Sequence, residues 1–302
     1  MSDLEDLLIK TSRTFALSIP LLPEPTRREV TVAYLLFRIA DTFEDSASWS
    51  QQKRIQALSE FCELLDRNQP RTARRKAEQW AAESPIEHVG YQELMGQVPF
   101  VLEAYFELGD SARELVRQHT VRTAEGMAGF VGRTDDQGEL RLDSLQDLRD
   151  YCYIVAGIVG EMLTELFLLD RPALRGFAER LRERSRLFGE ALQLVNILKD
   201  SSFDLTEGRS YLPPDASRAE VLALARRDLL AATEYVLALQ EAQADRGLIA
   251  FNALPVLLAV ATLEKVEREG PGSKISRSEV YQIVDLMNYA LDHDLPVISF
   301  EI

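Results

Sequence analysis

The chain has 302 residues, 46% of them hydrophobic and 27% charged, which is enough for a substantial core and ordinary for a globular protein. Its formal charge of −15, from 49 acidic against 34 basic residues, argues against broad binding to nucleic acid or anionic lipid. Cys62 and Cys152 sit inside apolar helical patterns and read as buried free thiols of a reducing cytoplasm. The acidic start is unlike a signal peptide, and no uninterrupted apolar run reaches the ~18–20 residues of a membrane span.

Strand signals are scarce and helix-period patterns recur, so an all-α fold is expected. After a short opening segment, Pro20, Pro23 and Pro25 punctuate the chain ahead of a helix that runs to Asp45. Helices are expected near 51–67, 71–83 and 87–108, the last interrupted between Gly96 and Pro99. Asp110 reads as the N-cap of a helix to about Val131. A long helix over 143–169, relieved by Gly157 and Gly160, precedes another over 173–204 and an exit loop to Pro213 and Pro214. Further helices are expected near 218–244, 248–267 and 276–291, with Pro255 kinking or starting one of them. Without a repeat, a low-complexity tract or a Pro/Gly/Ser-rich linker, a single domain over 1–302 is the simplest organisation.

Two stretches set charge into apolar helices. In Tyr34 to Asp45, the residues Asp41, Glu44 and Asp45 stand at i, i+3 and i+4 on one face, extended backwards by Arg38 and Tyr34. In Gln193 to Asp204, the residues Asn196, Asp200 and Asp204 stand at i, i+4 and i+8, with Lys199 beside them. Carboxylates so placed repel one another, and oxygen donors without a nearby Cys or His suit a hard cation such as Mg²⁺. One such pair is ordinary on a solvated helix face. Two pairs, each with a basic residue on a nearby turn, point to metal-bridged binding of a diphosphate, with Arg13, Arg38, Lys199 and Arg209 adding positive charge.

Five ordered segments carry a family resemblance: Ser12-Arg-Thr-Phe15, Tyr34 to Asp45, Tyr151-Cys-Tyr-Ile-Val-Ala-Gly-Ile-Val-Gly160, Gln193 to Asp204, and Gly208-Arg-Ser-Tyr-Leu-Pro213. Together they resemble the motifs of the squalene and phytoene synthases, the head-to-head prenyl synthases. The wording of Asp41 to Asp45, Glu125 to Phe130 and Ala253 to Leu263 is most similar to the squalene synthase branch. The resemblance implies an isoprenoid-synthase helical bundle around a central cavity that joins two farnesyl diphosphates through presqualene diphosphate and reduces the product with NADPH. It implies Asp41, Glu44, Asp45, Asp200 and Asp204 as Mg²⁺ ligands. Ser12, Arg13, Tyr34, Arg38, Asn196, Lys199, Arg209 and Tyr211 would contact substrate, with Tyr151 beside the reacting carbons. Lys274 and Arg277 of Ser273-Lys-Ile-Ser-Arg277 would contact NADPH.

Three positions depart from the family pattern: Lys199 stands where arginine is usual, Phe203 where glutamate is usual, and Ser276 where the NADPH-contacting segment usually has arginine. Lysine keeps the charge without a bidentate fork. The rival readings are a synthase of dehydrosqualene or phytoene, a presqualene diphosphate synthase without reduction, and a noncatalytic helical scaffold. A di-iron carboxylate bundle is disfavoured because no Glu lies three residues before any of the three histidines. The expected location is the cytoplasm, with peripheral membrane contact for an apolar product.

Overall fold

Apolar spacing at helical period and side-chain caps carry almost the whole chain into α-helix. The computed structural model describes residues 3–46, 48–83, 86–135, 139–206 and 209–299, with the backbone alone at 3, 202–206 and 209. The chain forms two compact units, one of residues 1–19 and 24–138 and the other of residues 20–23 and 139–302.

The first unit contains α1 (Asp3–Thr11), α2 (Phe15–Ser18), α3 (Thr26–Glu44), α4 (Gln51–Asp66), α5 (Pro70–Ala82), α6 (Val89–Gly96), α7 (Val98–Phe106) and α8 (Asp110–Val131). The break between α6 and α7 falls where Pro99 opens a new first turn, as its missing N–H requires. Gly109, not Asp110, holds the N-cap position of α8; Asp110 stands in the first turn and pairs with Arg113 at 2.5 Å. Leu35, Leu36, Ile39 and Phe43 of α3 are fully buried, and the Phe43 ring packs edge-on to Trp80 at 4.7 Å. Phe43 is therefore part of the core of this unit.

The second unit contains β1 (Leu140–Arg141), α9 (Leu145–Cys152), a π-turn (Tyr153–Gly157), α10 (Ile158–Asp170), α11 (Ala178–Thr206), β2 (Arg209–Ser210), α12 (Arg218–Glu241), α13 (Arg246–Glu269) and α14 (Arg277–Asp292). Ser217 and Ser276 build reciprocal capping boxes with Glu220 and Glu279, which fixes where α12 and α14 start. The glycines serve close helix packing. A Cβ on Gly160 would lie 2.0 Å from the Ser185 carbonyl oxygen, and one on Gly189 would lie 2.0 Å from that of Ala156. Backbone thus meets backbone where α11 crosses the π-turn and α10.

Pro255 sits inside α13 without ending it. Leu145–Asp170 and Arg246–Glu269 are each long and apolar enough to cross a membrane, which corrects the expectation drawn from uninterrupted apolar runs. A helix tolerates a few charges within a span-length window. In the apolar windows of these helices 50% and 72% of the residues are buried inside the protein, as in core helices.

Candidate functional site

In the first unit, α3 delivers Tyr34, Arg38 and Asp41 on successive turns of one face. Arg38 Nη1 meets Asp41 Oδ2 at 3.1 Å, and Arg38 Nη2 donates to the Tyr34 hydroxyl at 3.3 Å. That hydroxyl donates in turn to the Thr11 carbonyl at 2.8 Å, which ties α3 to the end of α1. The guanidinium also lies 5.6 Å from the Tyr34 ring and 5.3 Å from the ring of Tyr91 on α6. Tyr91 belongs to none of the five motif segments, and its isolated place on a short helix carried no sequence signal.

Burial pushes the Asp41 carboxyl up to about 6; Arg38 opposes the rise and the neighbouring Asp45 charge adds to it. Burial works against the Arg38 charge too, but Asp41, Tyr34 and Tyr91 outweigh it and hold the guanidinium charged. Asp45 is half-buried at the C-cap of α3, where its N–H bonds the Asp41 carbonyl. Glu44 is only 8% exposed and lies deeper than the other two carboxylates, beside Arg54, whose Nη1 donates to the Glu44 carbonyl at 3.1 Å. Ser12 Oγ accepts from the Phe15 N–H at 3.0 Å and so organises the turn into α2, while Arg13 is exposed.

In the second unit, Asn196 and Asp200 share a face of α11 with Lys199 between them. Lys199 Nζ donates to Asn196 Oδ1 at 3.3 Å and pairs with Asp200 at 3.1 Å. The Lys199 carbonyl accepts from the N–H of Gly272 at 2.7 Å. This bond fastens the loop that bears Lys274 and leads into Arg277, the first residue of α14, to the helix of the second carboxylate motif. Both cations are exposed, and Ser276, standing where the family pattern has arginine, is occupied in capping α14. Tyr151 and Tyr211 are 4% and 8% exposed and stack at 4.9 Å, with the Tyr151 hydroxyl donating to that of Tyr211 at 3.2 Å. The short parallel pairing of β1 with β2, continued by the Leu142 N–H to the Ser210 carbonyl, sets Tyr211 in place. The side chains of Asp204 and Arg209 lie outside the described residues.

Among the described residues no three His, Cys, Asp or Glu side chains gather as a ready-made metal cage. Asp41 with Asp45, and Asp200 on α11, are instead partial sets of hard oxygen donors, the kind Mg²⁺ completes with water and phosphate oxygens. The charge that Asp41 bears at a cost beside Asp45 is what such a cation offsets. Arg38 Nε is buried without a hydrogen-bond partner among the described residues, a donor suited to an anionic ligand.

A model of the squalene/phytoene synthase family matches residues 8–220, more than two thirds of the chain. The squalene synthase of Eremothecium gossypii is 28% identical over 282 residues, and that of Schizosaccharomyces pombe is 26% identical over 304, covering 86% and 92% of this chain. The chain spans only 60% and 63% of the length of these two relatives. The solved structure of TcSQS in complex with the ligand BPH1237 superposes with a TM-score of 0.76 at 24% identity, covering 94% of this chain and 84% of that one. That likeness gives the fold, the all-α isoprenoid-synthase bundle. With the family match running through both carboxylate motifs, the chain belongs to the squalene/phytoene synthase family.

Proposed function

We propose that the two units work as one synthase domain that joins two farnesyl diphosphates head to head through presqualene diphosphate and then reduces the product to squalene. The carrying observation is the Arg38–Asp41 pair on α3, a half-buried carboxylate raised to about 6 beside a guanidinium with an unpartnered Nε. An acidic site of this kind binds an anionic substrate through cations. Asp41, Asp45, Asp200 and Asp204 would hold Mg²⁺, with Glu44 supporting the first pair; the metal supplies positive charge to the diphosphate as it departs.

Arg38, Lys199 and Arg209 bind the diphosphate oxygens, with Ser12, Arg13, Tyr34, Asn196 and Tyr211 completing the contacts. As the C1–O bond of one substrate breaks, its electron pair leaves with the diphosphate. The π electrons of the second prenyl chain form the new carbon–carbon bond, and a proton is lost as the cyclopropane closes. Tyr151, held against Tyr211, relays that proton. The apolar walls of these helices keep water from the cation.

In the reductive half NADPH would supply hydride to the carbon skeleton as the C–O bond to the remaining diphosphate breaks and its electron pair leaves with that diphosphate, and Lys274 and Arg277 would bind the phosphates of NADPH. Because Ser276 is committed to its capping box, a nonreductive synthase yielding presqualene diphosphate or dehydrosqualene is the second reading. We further place the protein in the cytoplasm, touching a membrane peripherally to release an apolar product.

The test is incubation with farnesyl diphosphate and Mg²⁺, with and without NADPH, followed by mass analysis. Squalene formed only with NADPH is the expected result; a product spectrum indifferent to NADPH sinks the squalene reading in favour of the nonreductive one. A wild type that forms no product under either condition would favour a noncatalytic scaffold, and full turnover by both Asp41→Asn and Asp200→Asn would remove these carboxylates from metal binding.

A further inference from the structure

We propose that Tyr91 is a further diphosphate-binding residue: its ring fixes the plane of Arg38, and its hydroxyl donates to an oxygen of the diphosphate that Arg38 holds. This assignment rests on the diphosphate reading of the Arg38 cluster.

Arg38 lies near two aromatic rings, Tyr34 at 5.6 Å and Tyr91 at 5.3 Å, and the two tyrosines differ in what their hydroxyls do. The Tyr34 hydroxyl is spent: it donates to the Thr11 carbonyl and accepts from Arg38. The Tyr91 side chain is half-buried, and its hydroxyl makes no hydrogen bond to any described residue. Arg38 Nε is buried and equally unpartnered. A buried Nε without a partner, beside a half-buried hydroxyl that bonds no described residue, suits an acceptor with several oxygens. Asp41 is already engaged by Arg38 Nη1, so the acceptor comes from outside the protein.

The position of Tyr91 is built into the packing. A Cβ on the preceding Gly90 would lie 2.4 Å from the Lys10 carbonyl oxygen, so only glycine lets α6 approach α1 this closely. The Lys10 ammonium reaches over to Glu93 on α6 at 2.7 Å. Thr11, the next residue of α1, is the anchor of Tyr34. Both rings around Arg38 are thus referenced to the same helix end. His88 backs the Tyr91 ring, with centroids 4.4 Å apart.

The experiment is titration calorimetry of the full chain with inorganic pyrophosphate in the presence of Mg²⁺, on wild type, Tyr91→Phe and Tyr91→Leu. Tyr91→Phe should melt with wild type, since the lost hydroxyl bonds nothing in the protein, and bind pyrophosphate about tenfold more weakly. Tyr91→Leu should bind more weakly again, because Arg38 loses a wall. Wild-type affinity in Tyr91→Phe overturns the hydroxyl contact, and equal affinity of the two variants overturns the role of the ring. Tyr91-dependent pyrophosphate binding by a wild type that forms no presqualene diphosphate leaves this assignment standing and removes the synthase reading. A wild type that binds no pyrophosphate overturns both.

Discussion

Replacing Asp41 with asparagine should abolish turnover and yet make the ligand-free protein more stable. Burial raises the carboxyl from its ordinary 3.8 to about 6 despite the Arg38 contact at 3.1 Å. The folded chain therefore binds this proton more tightly than the unfolded chain. Its contribution is fully present below about 3.8 and is lost as the pH rises through 6. For an enclosed group the rise is worth about 3 kcal/mol, and because the Asp41 side chain keeps 27% exposure, solvent screening leaves roughly 1–2 kcal/mol. Asparagine mimics the neutral form. At pH 8 the variant should melt about 2–3 °C above wild type, and at pH 4 the two should nearly coincide. Mg²⁺ should raise the melting temperature of wild type and leave that of Asp41→Asn almost unmoved. Melting curves at the two pH values, with and without Mg²⁺, read all of this. A variant less stable than wild type at pH 8, or an equal gap at both pH values, would refute the account of a carboxylate charged at a cost.

Other consequences are open to direct measurement. Tyr151→Phe keeps the ring stack on Tyr211 and loses the buried hydroxyl that bonds it at 3.2 Å, so kcat should fall about 10- to 100-fold while stability falls by only about 1–2 kcal/mol, too little to unfold the protein under assay conditions. Gly160→Ala drives a methyl onto the Ser185 carbonyl oxygen, where backbone faces backbone and nothing flexible can yield. A loss of about 2–4 kcal/mol should appear in denaturant unfolding. Burial raises the Cys62 thiol to about 12 and the Cys152 thiol well above its ordinary range, so iodoacetamide at pH 8 should label neither without denaturant. Removing both cations in Lys274→Gln/Arg277→Gln should leave presqualene diphosphate formation intact and cut the NADPH-dependent yield at least severalfold; unaltered squalene output would remove the segment from cofactor binding.

Much of the architecture was legible locally. Ser217 and Ser276 announce their helices by capping chemistry that needs only three neighbouring residues, and the spacing of Asp41 and Asp45 or Asn196 and Asp200 puts each pair on one helix face. The glycines show the boundary of that legibility. Gly157 and Gly160 show in the sequence only as small residues that relieve a long helix, and the approach of α11, with Gly189 against the Ala156 carbonyl, makes them packing contacts. Glu44 shares the acidic face with Asp41 in the sequence, yet it lies deeper than Asp41, because the burial of a side chain depends on which elements close over it.

The sequence by itself determined the helical class, most helix boundaries, the two carboxylate motifs and the family, since all of these are written in periods and motifs of a few residues. The tertiary structure alone decided that Tyr91 walls Arg38, that the Gly272 N–H ties the Lys274 loop to Lys199, and that Tyr211 stacks on Tyr151. Each is a single contact between segments far apart in the chain. Such contacts are fixed by the packing of whole helices and leave no repeating pattern along the sequence.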